Sequence, residues 1–171
     1  MIPPRIHEFA SSLASRRAPA EAFASPHVVL DTHIVMECFF WEDEKAEALR
    51  KLLESGRIRA AESRDAFLEL AGVLSRPQFG ADEAKVMEVL ERAAGYSDFL
   101  SEDALEAAEQ MLSVRCRDSE DQKFLTLARA SKARALVTRD RLLLKAAKKL
   151  RASGTQPASP EGMLQILPEF F

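Results

Sequence analysis

RDSEDQKFLTLARASKARALVTRD, residues Arg117–Asp140, holds in one segment a charged helix start, an apolar helix face, a short strand and a terminal acid. Asp121, Phe124, Leu125 and Ala128 fall at i, i+3, i+4 and i+7, so Asp121 shares the helix face that turns inward. An acid on a buried face needs a partner. After the helix, Ala135-Leu136-Val137-Thr138 reads as a buried parallel strand, with Asp140 just past its carboxyl end. Ligand sites of open α/β sheets lie at that edge.

The same design recurs upstream. His27-Val28-Val29-Leu30 is an apolar strand ending in Asp31, followed directly by Thr32 and a helical pattern through Ile34, Val35 and Cys38. Between the two acids the chain alternates. A helix at about Glu42–Ser55 stops at Gly56, a strand follows at Ile58–Ala61, and Ser63 caps a helix over Arg64–Leu74. That helix buries Ala66, Phe67, Leu70, Ala71 and Leu74, and Glu69 sits at the edge of the stripe. A helix at Asp82–Ala94, a strand at Tyr96–Phe99 and a helix from Ser101 to about Val114 complete the middle. Beyond Asp140 come a basic amphipathic helix through Arg151, an edge strand at Thr155–Ala158, and a last helix started by Ser159-Pro160-Glu161 and running to Leu167. Strands alternating with helices predict an α/β fold, a mostly parallel sheet covered on both faces.

Residues 1–26, with Pro3, Pro4, Pro19 and Pro26, read as an N-terminal extension carrying one short helix around Ile6–Leu13; residues 27–171 read as the domain proper. A chain of 171 residues that is 47% hydrophobic, with six glycines, fills a core of its own. No apolar run approaches a membrane span and no signal peptide is visible, so the expected location is the cytoplasm. Cys38 and Cys116 lack metal-type spacing and read as buried thiols. The net charge of −3 conceals an asymmetry: residues 115–151 carry twelve basic and four acidic side chains, a net of +8, which leaves −11 for the rest. Arg139, Arg141, Lys145, Lys148 and Lys149 are candidate phosphate contacts, and equally a solvated basic face.

Asp31, Glu69, Asp121 and Asp140 are the candidate site. Gathered carboxylates repel one another and call for a cation, and hard oxygen donors favour Mg²⁺ or Mn²⁺. Such a metal activates water against a phosphodiester. Singly, each acid has a plainer reading. Asp118 and Asp140 suit helix N-caps, Asp121 suits a first helical turn, Asp31 a strand-end turn and Glu69 a half-exposed helix position. Thr138 reads equally as β-branched filler.

Taken together, VVLDTHIV, the FLEL of Phe67–Leu70, DSEDQKFLTLA and LVTRD, in this order and spacing, resemble the PIN-domain family, and in particular the toxins of bacterial toxin-antitoxin pairs. The resemblance covers about Val28–Leu167. It implies a three-layer α/β/α fold on a parallel sheet of about five strands. It further implies a Mg²⁺- or Mn²⁺-dependent ribonuclease whose metal is held by Asp31, Glu69, Asp121 and Asp140, with Thr138 assisting from its strand end and Asp118 a secondary ligand candidate. RNA is the implied substrate, a homodimer the implied assembly, and an antitoxin protein the implied partner; no membrane is involved. His33 stands where the family commonly has a small polar residue such as Asn.

Other classes fit less well. A receiver domain needs an early acidic pair and a Lys after the fifth strand, and a haloacid-type phosphatase needs an Asp at position 33, which is His. The alternative kept is a catalytically inactive PIN domain that binds nucleic acid or protein.

Overall fold

The computed structural model describes residues 1–16 and 20–170. Five strands, β1 (His27–Leu30), β2 (Arg59–Glu62), β3 (Ser97–Phe99), β4 (Ala135–Val137) and β5 (Gln156–Ala158), form one sheet in the order β3-β2-β1-β4-β5. Every pairing is parallel. The chain winds outward from β1 through β2 to β3, then returns to the other side of β1 with β4 and β5. The winding reverses between β1 and β4, and that boundary is where a doubly wound sheet opens a crevice at its carboxyl edge.

Side-chain alternation along the strands divides the core in two. Val28 and Leu30 of β1, with Ala135 and Val137 of β4, point into one apolar cluster; Val29 and Leu136 point into the other. The first face is covered by α2 (Thr32–Phe39), α3 (Glu47–Glu54), α4 (Arg64–Leu74) and α5 (Glu83–Gly95). The second is covered chiefly by α7 (Gln122–Ser131) and α8 (Arg141–Ala147), with α6 (Glu102–Met111) packed on α7. This is the three-layer α/β/α architecture. Pro157 lies within β5, the outer strand, where a residue without an N–H removes no ladder bond.

The N-terminal residues supply α1 (Pro4–Ala14), which buries Ile6, Ala10 and Leu13 against α4 and α5. Part of the stretch read as an extension, residues 17–19, lies outside the described residues. No helix among the described residues is long and apolar enough to cross a membrane.

Four expected helices differ in length. The basic helix expected through Arg151 is an α-helix only over Arg141–Ala147 and continues as a 3-10 helix over Lys148–Ser153. The helix expected from Glu42 starts only at Glu47, because Glu42 adopts a left-handed backbone (φ 50°) and Asp43 caps a separate 3-10 turn. Its stop at Gly56, φ 77°, is as expected. The sixth helix ends at Met111 instead of Val114, since the backbone of Val114 and Cys116 is bound by the side-chain amide of Gln122. The last helix, α9, is confined to Met163–Ile166: Ser159 Oγ accepts from Gly162 N at 3.1 Å and caps a turn in place of a helix.

Candidate active site

Asp31 follows β1 and is the N-cap of α2, its Oδ1 accepting from Ile34 N at 3.0 Å. Its other oxygen accepts from the hydroxyl of Thr138, which is completely buried at the end of β4. The same hydroxyl accepts from Asp140 N at 3.0 Å. Thr138 thus ties together the two strand ends that flank the crevice, and it is no filler. Asp140 caps α8 through Leu143 N at 3.0 Å. The plain capping reading of Asp140 is correct as local chemistry, Asp31, read as a strand-end turn residue, is a cap as well, and the fold brings both caps to adjacent strands.

Asp121 closes a 3-10 turn (Ser119–Asp121) and stands at the head of α7. Together with Asp31, Thr32, His33, Glu69, Phe124, Arg139 and Asp140 it lines a cavity of about 360 Å³ at the carboxyl edge of the sheet. Asp118, exposed, accepts from Glu120 N at 3.0 Å and caps the turn.

The electrostatics follow from this crowding. Burial, then the charges of Asp118, Asp140 and Asp31, push the carboxyl of Asp121 up to about 6, against the opposing pull of Lys123. The carboxyl of Asp31 is likewise raised, first by burial, although the Thr138 hydroxyl and the Ile34 N–H favour its ionised form. Glu69 is compensated differently. Thr32 Oγ1 donates to one of its oxygens at 2.5 Å and Lys123 Nζ to the other at 2.9 Å.

Arg139 points into the protein's own charges. Its guanidinium makes a double contact with the buried Glu37, at 2.8 and 2.9 Å, and pairs with Glu161 as well. Arg141, Lys145 and Lys148 are exposed along α8 and the turn beyond it, starting beside Asp140. Three participants were not singled out by the sequence. Lys123 lies two residues beyond Asp121 and Thr32 immediately after Asp31, which is adjacency without a distinguishing pattern. Glu37 did leave a signal, as an acid inside the buried run Ile34–Phe39 that required a cationic partner.

A cation would find hard oxygen donors here. Asp31, Asp121 and Asp140 come from three different elements, face one cavity and raise the proton affinity of Asp121 jointly. In the arrangement described, no three His, Cys, Asp or Glu side chains among the described residues are drawn close enough to hold a metal ion. The donor chemistry of these carboxylates fits a divalent cation.

A doubly wound parallel sheet with carboxylates at the reversal of its winding defines an α/β protein whose candidate ligand crevice lies at that reversal. The PIN domain family matches residues 27–142, and the chain belongs to that family. No curated protein and no solved structure matches the chain significantly. PIN domains are in general nucleases that use divalent metals such as Mg²⁺ or Mn²⁺.

Proposed function

We propose that this chain is a Mg²⁺- or Mn²⁺-dependent ribonuclease that hydrolyses RNA phosphodiester bonds, and the toxin of a toxin-antitoxin pair. The observation that carries the nuclease reading is the convergence of Asp31, Asp121 and Asp140 on one cavity, with the carboxyl of Asp121 raised by its acidic neighbours. Structural carboxylates are normally matched by cations of the protein itself; these three are not matched within the cavity.

Asp31, Asp121 and Asp140 are the ligands, and Glu69 joins them from the rim. When bound, the cation supplies Lewis-acid polarisation of the phosphodiester and acidifies a water. The chain's part is to hold its donors still. Thr138 and the Ile34 N–H fix both oxygens of Asp31, and the α8 N-terminus fixes Asp140. Arg141, Lys145 and Lys148 draw the phosphate backbone toward the cavity. Arg139 lines the same space, but its charge is taken up by Glu37 and Glu161. The choice of RNA, the homodimer and the antitoxin rest on the toxin resemblance of VVLDTHIV, DSEDQKFLTLA and LVTRD.

A second reading is favoured by one observation. Lys123 already pairs with Glu69 at 2.9 Å, which leaves that acid less available to a cation, as an inactive PIN domain that binds nucleic acid or protein would have it. Cleavage of a panel of single-stranded and structured RNAs in Mg²⁺, Mn²⁺ and EDTA separates the two. Metal-dependent products support the ribonuclease; binding without products supports the inactive domain. Co-expression with the product of a short reading frame beside the gene tests the toxin assignment through loss of cleavage.

A further inference from the structure

Trp41, the single tryptophan of the chain, is 42% exposed in the turn between α2 and α3. Its position is strictly held. Trp41 N donates to Met36 O at 2.9 Å and Asp43 N to Glu37 O at 2.8 Å, and between them Glu42, at φ 50°, accepts from Arg92 Nη1 at 3.0 Å. A non-glycine residue at positive φ persists only where its surroundings over-determine it, and such places cluster at ligand clamps.

The rings around Trp41 pack on it at a tilt and leave it 42% exposed. His33, Phe40 and Phe79 lie at centroid distances of 5.1, 5.7 and 5.9 Å, and meet it at 55°, 59° and 63°, so none lies flat on the indole. Core pairs of this protein do stack flat: Phe39 on Tyr96 at 14° and Phe67 on Phe99 at 26°. His33 is also a wall of the acidic cavity. An exposed indole on a rigid turn is therefore joined, through one shared side chain, to the place where a phosphodiester is proposed to sit.

We propose that Trp41 is a stacking platform for an unpaired base of the nucleic acid whose backbone enters the cavity, with His33 as the link between the two. The assignment rests on the nuclease reading of that cavity. Aromatic faces bind every base and require it to be unstacked, so the platform selects single strands without reading sequence. A base-paired duplex offers no free face at this point.

The test uses the full chain in EDTA, where binding is measured without metal-dependent cleavage. Fluorescence of Trp41 is followed while a short oligo-adenylate, an abasic strand of equal length and a blunt duplex are added. The oligo-adenylate quenches it; the abasic strand, which carries the same phosphates, and the duplex do so severalfold less. Binding of a labelled oligo-adenylate weakens roughly tenfold in Trp41→Leu, which keeps an apolar contact with Phe79 but has no ring, and is largely retained in Trp41→Phe. The slope of affinity against salt is unchanged in both, since every phosphate keeps its basic partner. Equal quenching by the abasic strand, or unaltered binding by a folded Trp41→Leu, overturns the proposal. So does a Trp41→Leu protein that loses self-association while binding the strand normally, for then the indole is a protein contact. A protein that cleaves RNA yet fails these tests keeps its nuclease reading, and one that stacks bases but never cleaves loses only that reading.

Discussion

Asp98 of β3 is completely buried and fully matched: His27 Nε2 lies 2.8 Å from one oxygen and Arg59 Nε 3.0 Å from the other. Asp31, at the opposite end of the strand that His27 opens, is 8% exposed and has for partners one hydroxyl and one backbone N–H, with Asp121 and Asp140 facing the same cavity. One side-chain type thus serves two ends of one sheet under opposite rules. At the first, charges of the chain cancel within hydrogen-bonding distance; at the second, negative charge accumulates and the proton affinity of Asp121 rises to about 6. The contrast teaches that burial alone does not identify a functional acid. What identifies it is burial together with missing compensation.

The largest expected effect breaks the matched end. Asp98→Ala leaves Arg59 and His27 without their partner and should destabilise the fold by about 3–5 kcal/mol, read from urea unfolding, as removal of one member of a buried pair does. A loss below about 1 kcal/mol would show that water replaces the carboxylate. The open end should respond in activity instead. Asp121→Asn is expected to lower Mn²⁺-dependent RNA cleavage by at least roughly a hundredfold, the loss that follows even from removing outer partners of metal ligands. Strand binding in EDTA should persist. Unchanged cleavage would remove Asp121 from the site.

A smaller effect sharpens the comparison through pH. Asp121 titrates ordinarily near 3.8 and in the fold near about 6, so the folded protein binds its proton more tightly than the unfolded chain does. The stability it contributes is complete below 3.8 and is lost as pH rises through about 6. Asp31, raised in the same direction, adds to the trend. In EDTA at neutral pH, Asp121→Asn should therefore be as stable as the parent protein or more so, by at most about 1 kcal/mol given that solvent screens a half-exposed carboxylate. Its stability should also vary less with pH across that window. A destabilised Asn variant would mark Asp121 as a structural acid. The smallest expected effect is on the basic helix: reversing Arg141 and Lys145 to Glu should flatten the salt dependence of strand binding by roughly 0.7 for each phosphate no longer engaged. An unchanged slope would make α8 a solvated face.

Much of the fold was legible because its signals are local. The strand-acid-helix order at His27–Asp31 and at Ala135–Asp140 predicted parallel strands, and both are present with their acids as helix caps. Ser63 and Ser101 cap the helices they were expected to cap. Where the reading overran at Glu42 and Val114, a longer-range contact won over a local pattern; at Ser159 the hydroxyl closed a turn on Gly162 N. Arg92 and Arg50 hold Glu42, Gln122 holds the backbone at Val114 and Cys116, and Arg139 engages Glu161. Those partners lie from six to fifty residues away, beyond the roughly three or four residues over which capping and periodicity act.

The candidate site divides in the same way. Asp31, Glu69, Asp121, Thr138 and Asp140 could be named from their places at element ends and edges, since a strand end or a helix start is written in a few adjacent residues. The state of each was not written there. Only the tertiary structure decided that Thr138 bridges the two strand ends, that Lys123 pairs with Glu69, and that Glu37 and Glu161 hold Arg139. By itself the sequence determined the architecture and singled out the candidate side chains at its element ends, because periodicity and capping act over a few residues. Their charge balance depends on separations in space between residues far apart in the chain, and those exist only once the sheet has closed β4 onto β1.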